Sequence, residues 1–169
     1  MKPLIRCSNL DQLFECPGSF TLQKLVAVRD GEESREGSAL HWNIAARLAR
    51  DLGAAVPDGG LTAPDLPDGY KPSGFSAWIS DYCFEACRSE AKPDWSLEVE
   101  VPMAFEFERF ILSGHIDALL VAGDGKRSSA FDWKTGYRAV DSADSNNQAL
   151  GYIVLQKRAY PQLEESWFT

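Results

Sequence analysis

The hydrophobic period of the chain changes once along its length, and that change limits what it can fold into. Leu40, Ile44, Ala45, Leu48 and Leu52 recur at helical spacing and stop at Gly53, which places His41 early in an amphipathic helix. Phe75, Trp78, Ile79, Tyr82, Cys83 and Ala86 repeat the pattern up to Lys92-Pro93. Beyond them the period falls to two. Leu97, Val99 and Val101 alternate with Glu98 and Glu100, the mark of a half-buried strand with its glutamates towards solvent. A second strand is expected over 109–121 and a third over 128–134, joined by Gly123-Asp124-Gly125-Lys126, whose Asp-Gly pair signals a reversal. A helix over 148–160, with Asp144 or Ser145 as its cap, and a short strand over 165–169 complete the C-terminal part.

Upstream, Ser8-Asn9-Leu10-Asp11 starts a helix that Cys16-Pro17-Gly18-Ser19 interrupts. A further helix is expected over 20–28, then a polar connection over 30–34. Residues 54–72, with Pro57, Pro64, Pro67 and Pro72, read as a long surface loop. Together these elements predict an α/β layered domain with a mixed sheet. A length of 169 residues fits a single domain, with a helical part over 1–92 and a hairpin core with its following helix over 96–169.

The formal charge of −8 and pI near 4.8 count against a protein that coats DNA non-specifically. They do not count against a nuclease, because bound divalent cations offset a local acidic cluster. No apolar run reaches the ~18 residues of a membrane span. Met1-Lys2-Pro3-Leu4-Ile5-Arg6 has no secretory apolar core, so a cytoplasmic protein of a prokaryote or a phage-infected cell is expected. The cysteines Cys7, Cys16, Cys83 and Cys87 contain no CxxC pair and are expected as reduced, small apolar fillers.

With Asp124-Gly125 at the centre of the reversal, Asp117 falls opposite Asp132, and His115 opposite Lys134. Opposed side chains have Cβ atoms ~4.5–5.5 Å apart, so the two carboxylates would repel unless a proton or cation lay between them. Oxygen ligands at that spacing suit Mg²⁺ or Mn²⁺. An acid pair, a lysine and a hard cation are what phosphodiester hydrolysis requires. The same tripeptide also fits a solvated strand face on which Lys134 pairs with an aspartate.

Five segments, in order, resemble the RecB-type branch of the PD-(D/E)xK nuclease superfamily. They are Ser8-Asn9-Leu10 through Cys16-Pro17-Gly18-Ser19; Glu36-Gly37-Ser38-Ala39-Leu40-His41; Gly114-His115-Ile116-Asp117; Asp132-Trp133-Lys134-Thr135-Gly136; and Gln148-Ala149-Leu150-Gly151-Tyr152. The resemblance implies a restriction-endonuclease-like mixed central sheet flanked by helices. It implies that His41, Asp117, Asp132 and the backbone carbonyl of Trp133 bind the metal, and that Lys134 is catalytic. Gln148 and Tyr152 would contact DNA or brace the site; the plainer reading is a polar helix surface with Tyr152 packed inward. Glu36, Glu98 and Glu100 are further candidate ligands, although the alternation favours solvent for the last two. Some relatives hold an iron–sulfur cluster through one early and three late cysteines; no cysteine follows Cys87, so none is expected. The chain also stops soon after the Gln148–Tyr152 segment, as a minimal core or a shortened one would.

The leading expectation is therefore a Mg²⁺- or Mn²⁺-dependent deoxyribonuclease acting on single- or double-stranded DNA, with protein partners in a DNA-processing complex as a further candidate interaction. A catalytically weak binding or assembly module of the same fold, and a hydrolase of small phosphorylated molecules, are the alternatives. Lys126, Arg127, Arg138, Lys157 and Arg158 are candidate phosphate contacts. Trp42, Trp133 and Tyr137 are candidate base-stacking or core aromatics.

Overall fold

A computed structural model of the protein describes residues 2–18, 32–66, 68–134 and 145–169. Strand β1 (Leu4–Arg6) leads through a 3-10 turn (Cys7–Asn9) into helix α1 (Leu10–Glu15). Helices α2 (Glu32–Leu52) and α3 (Gly74–Glu90) precede strands β2 (Trp95–Glu106), β3 (Ile111–Ala122) and β4 (Arg127–Phe131). Helix α4 (Asn147–Ala159) and strand β5 (Glu165–Phe168) follow. The helix expected over 20–28 and residues Ser19, Thr135, Gly136, Tyr137, Arg138 and Asp144 lie outside the described residues. Among the described residues no helix is long and apolar enough to cross a membrane.

The sheet is mixed, as expected, and β3 is its axis. One edge of β3 pairs antiparallel with β2. The other edge is shared: β1 runs parallel to it at Ile111–Ser113, and β4 antiparallel at Ala118–Val121, with β5 parallel on β4. Gly114 to Asp117 lie in the interval between those partners, a notch in the sheet. β1 escaped sequence reading because three residues carry no usable period, and parallel pairing with β3 is a long-range event.

Between β3 and β4 the four-residue loop is symmetric, and Ala118 pairs with Phe131 in the register the Asp-Gly turn predicts. Gly125 takes φ +68°, a left-handed conformation open to glycine. β4 stops at Phe131 and not at 134 as expected. The Asp132 N–H bonds to the Thr169 carbonyl, but the Trp133 N–H turns to a side chain, the Asp117 carboxylate, which ends the ladder.

Helix α2 begins at Glu32, inside the stretch expected to be a polar connection. Glu-Glu-Ser-Arg-Glu is rich in good helix formers, and the apolar stripe alone did not reveal it. His41 thus sits well inside the helix. Ser73 caps α3 by accepting from the Ser76 N–H at 3.1 Å. Asn146, not Asp144 or Ser145, caps α4, accepting from the N–H groups of Gln148 and Ala149.

Two apolar clusters form. Leu40, Ile44 and Leu48 of α2 and Cys83, Phe84 and Cys87 of α3 pack on Leu97, Val99, Ala118, Leu120 and Phe131. Cys7, Tyr152 and Leu155 pack on Leu112, Ile116, Leu119, Val121 and Ala130. On α3 the expected helix forms and its apolar pattern divides: Ile79, Cys83 and Ala86 pack on the first cluster, whereas Phe75, Trp78 and Tyr82 are more than half exposed, the last two stacked with centroids 5.9 Å apart. Of the cysteines, Cys16 is exposed while the other three are core residues. Burial pushes the thiols of Cys7 and Cys83 up to about 12.

Strand alternation breaks at one point. Leu97 and Val99 belong to the first cluster, yet Val101, Met103 and Phe105 pack against the second. β3 changes over at the same level, with Ile116 in the second cluster and Ala118 in the first. Between them stands Glu100 at φ +52°, the one left-handed non-glycine among the described residues. Such a backbone costs roughly 1–2 kcal/mol for an L-residue, and strain of this kind tends to persist where a site requires it.

Candidate active site

The site lies where β2, the notch edge of β3 and the middle of α2 meet. Val99 pairs with Ala118 and Val101 with Ile116, so Glu100 faces Asp117 across the two strands. The inverted backbone at Glu100 turns its side chain out of the expected solvent row and into the site. His41 of α2 reaches the same place, its Nδ1 3.1 Å from Asp117 Oδ1. One donor atom each from His41, Glu100 and Asp117 lies within 4.8 Å of the others. His115 Nδ1 flanks Glu100 at 3.2 Å.

Asp117 is the node. Its carboxylate, 8% exposed, receives the Trp133 N–H at 2.5 Å on Oδ2 while Oδ1 faces His41. Asp132 stands close enough for the two charges to be felt mutually, but its own oxygens are engaged on the other side. Gln148 Nε2 donates to Asp132 Oδ1 at 3.1 Å and to the Tyr152 hydroxyl at 3.0 Å. Gln148 Oε1 accepts from Lys134 Nζ at 3.0 Å, and the Lys134 ammonium is in contact with Asp132 Oδ2. That contact is an ion pair without the alignment of a hydrogen bond, since Oδ2 has no aligned donor. Tyr152 donates to the His115 carbonyl at 2.7 Å, an acceptor the notch leaves without a strand partner.

Two glycines make this arrangement possible. A Cβ on Gly114 would lie 2.4 Å from Cε1 of Tyr152, and one on Gly151 would lie 2.8 Å from Cys7 Sγ. Bare backbone lets α4 lie close to β3 at Gly114 and to Cys7 and Leu10 at Gly151, so that Gln148 and Tyr152 reach the site.

The electrostatics follow from the crowding of acids. Glu100 is pushed up by burial and by Asp117, against the pull of His115 and His41. Asp132 is raised mainly by burial, with Asp117 adding to it and Lys134 opposing. For His41, burial disfavours the cation, but the hydrogen bond and charge of Asp117, with Glu100 and Asp132, outweigh it and raise its pKa. Burial is the first cause for the two acids, and the neighbouring carboxylates add to it; for His41 those same carboxylates favour the cation. An imidazole and two carboxylates suit a divalent cation, so the donor set fits a metal.

The expected residues are therefore distributed over two linked groups. His41 and Asp117 meet at the cation-type triad, joined by Glu100, which the alternation had assigned to solvent. Asp132, Lys134, Gln148 and Tyr152 form the second group, and Gln148 and Tyr152 are both buried, not on a polar surface. The four-residue face expected from the hairpin divides, since His115 turns to Glu100 while Lys134 turns to Asp132. Fixing the β2–β3 register would have revealed Glu100, but Phe107-Glu108-Arg109-Phe110 offers no strong turn signal.

The other candidates have structural partners. Glu36 accepts from Ser76 Oγ at 2.7 Å, and Glu98 lies near Tyr160. Lys126 pairs with Glu164 at 2.7 Å, Arg127 lies over the Trp95 ring, Lys157 meets the Leu163 carbonyl, and Arg158 covers Phe105. These four do not form a free phosphate-binding stripe. The Trp133 ring packs on Phe131 at 5.1 Å in the core. Trp42 lines a cavity of about 970 Å³ that opens from His41, Glu100, His115 and Asp117.

No curated protein matches the chain. The family model of the PD-(D/E)XK nuclease superfamily matches residues 7–166, a span that takes in β1's successor turn, the triad, Lys134 and α4. With nearly the whole length covered, the chain belongs to the PD-(D/E)XK nuclease superfamily, whose members are metal-dependent nucleases.

Proposed function

We propose that the protein is a Mg²⁺- or Mn²⁺-dependent deoxyribonuclease of the RecB-type branch, hydrolysing phosphodiester bonds of DNA in a prokaryotic or phage-infected cytoplasm. The observation that carries this reading is the Asp117 carboxylate, held by the Trp133 N–H and facing His41 and Glu100 at ligand distances. His41, Asp117 and Glu100 would hold the cation, with Asp132 and the Trp133 carbonyl completing its shell from the neighbouring group. Bound there, a divalent cation would supply polarisation of a phosphoryl oxygen and a more acidic water.

The protein's own groups do the rest. The Lys134 ammonium lies against Asp132, so it presents positive charge beside the carboxylates, where charge on a phosphate would grow during hydrolysis. Gln148 holds Lys134 and Asp132 at fixed places through its two amide atoms. Tyr152 ties that brace to the His115 backbone. Gln148 and Tyr152 act as positioning residues, since burial keeps them from an extended DNA surface.

End-labelled linear and circular DNA, incubated with Mg²⁺ or Mn²⁺, tests the reading. Cleavage should require the cation, and Lys134→Ala should lower the rate by at least about 100-fold, the scale of losing one preorganised charge-stabilising group, while the circular dichroism melt stays cooperative. Absence of cleavage of every DNA form with either cation would overturn it.

A further inference from the structure

We propose that Trp42, Arg35 and the loop over 57–65 form a nucleoside subsite beside the cation triad, taking an unstacked base of the strand being cut. This rests on the nuclease reading above and on the same cavity. At about 970 Å³, that cavity is far larger than a cation needs. It stands at the upper end of the ~300–1,000 Å³ range of ligand pockets.

The lining combines two chemistries. His41, Glu100 and Asp117 make its triad part polar and acidic. Trp42, Pro57, Leu61 and Pro64 add apolar surface beside Thr62 and Asp65, and Arg35 is the one lysine or arginine among the described residues of the lining. Trp42 follows His41 directly on α2, so its ring sits one residue from a triad donor. A nucleobase matches this combination: flat apolar faces for the indole and prolines, and a phosphate one sugar away for Arg35 and the cation that the triad would hold.

The wall is built in advance. Ala55 is hydrogen bonded on both sides to the strand just before Glu100, its N–H to the Leu97 carbonyl at 2.8 Å and its carbonyl from the Val99 N–H at 2.9 Å. Gly60 N–H closes a turn onto the Pro57 carbonyl at 2.9 Å, and Leu61 packs on the first core cluster. The loop and Glu100 are therefore fixed to one another through a single strand. A base can enter only after leaving its neighbours, so the subsite favours single strands and frayed ends over intact duplex.

The test compares fluorescein-labelled oligothymidylate with a strand of equal length built only of abasic residues, by anisotropy with Ca²⁺ in place of Mn²⁺. The wild type should bind the thymidine strand about 5- to 150-fold more tightly, the range of one base–aromatic stack. Trp42→Ala should reduce that ratio to near one while leaving abasic binding unchanged, and Trp42→Phe should retain most of it. Arg35→Gln should weaken both strands alike. Equal wild-type affinity for the two strands, no binding of either, or a Trp42→Ala loss shared by both strands would overturn the subsite. If Trp42→Ala does not fold, Trp42→Phe and Arg35→Gln still decide between these outcomes. Mn²⁺-dependent cleavage of the thymidine strand is followed separately: base preference without cleavage would sink the nuclease reading and leave the subsite standing.

Discussion

Replacing Glu100 with glutamine should stabilise the metal-free protein and weaken its response to metal. The exchange keeps the left-handed backbone, which φ +52° imposes on either residue, and keeps the side-chain volume. It removes a charge whose oxygen lies within 4.8 Å of an Asp117 oxygen. At an effective dielectric near 20, that pair repels by about 3.5 kcal/mol. His41 and His115 recover part of this, and Glu100 is 24% exposed, so a net gain of ~1–2 kcal/mol is expected at pH 8. For a domain of this length each kcal/mol moves Tm by ~2–4 °C, so the variant should melt ~2–8 °C higher in EDTA. The sign depends on pH. Glu100 has its pKa raised in the folded state, so its charge destabilises the fold above that pKa and has no effect below the unfolded value near ~4.3. The gain should therefore be absent in acid and grow as pH rises. With saturating Mn²⁺ the order should invert. A cation at ~100 times its Kd stabilises the wild type by ~2.7 kcal/mol, and the variant, one carboxylate poorer, should gain less. Differential scanning calorimetry in EDTA and in Mn²⁺ across pH reads all of this. A variant that melts below the wild type in EDTA at pH 8, or an order that Mn²⁺ leaves unchanged, would refute the reasoning.

Three further outcomes follow from the packing. Gly114→Ala would place a methyl group 2.4 Å from Tyr152 Cε1 in a buried seam, and overpacking of that kind should lower stability by ~1–3 kcal/mol in urea melts and reduce cleavage by displacing the Tyr152 hydroxyl. Gln148→Leu should lower kcat and weaken Mn²⁺ binding by calorimetry less than Glu100→Gln does, because Gln148 positions Lys134 and Asp132 whereas Glu100 belongs to the His41–Glu100–Asp117 triad itself. Cys16 should react promptly with Ellman's reagent, whereas Cys7, Cys83 and Cys87, buried and with raised thiol pKa values, should react only after unfolding in guanidinium; prompt reaction of all four would contradict the two-cluster core.

Local sequence fixed much of the architecture because its signals were local in their physics. The Asp124-Gly125 turn carries its own backbone requirement, so it set the β3–β4 register as far as Ala118 and Phe131, one step short of the expected Asp117–Asp132 pair. The helical stripe of Leu40, Ile44 and Leu48 found α2 because that face is buried along its length. The pattern of Phe75, Trp78, Ile79, Tyr82, Cys83 and Ala86 found α3 but left open which of them face the core. Aromatics at helical spacing define a helix equally well on either face, and only the docking of Cys83, Phe84 and Cys87 chose the buried one.

What the sequence by itself determined was every described helix, strands β2 to β5, the mixed sheet and the candidate residues His41, Asp117, Asp132, Lys134, Gln148 and Tyr152. What only the tertiary structure decided was how those residues are grouped. Alternation assumes an unbroken pleat, and the inverted backbone at Glu100 breaks it, bringing in a glutamate that period two sends to water. The notch between β1 and β4 is likewise invisible locally, since it arises from two strands far apart in sequence sharing one edge of β3. That open stretch of backbone is what Tyr152 and the close approach of α4 fill, and it is why the carboxylates gather at that level of the sheet.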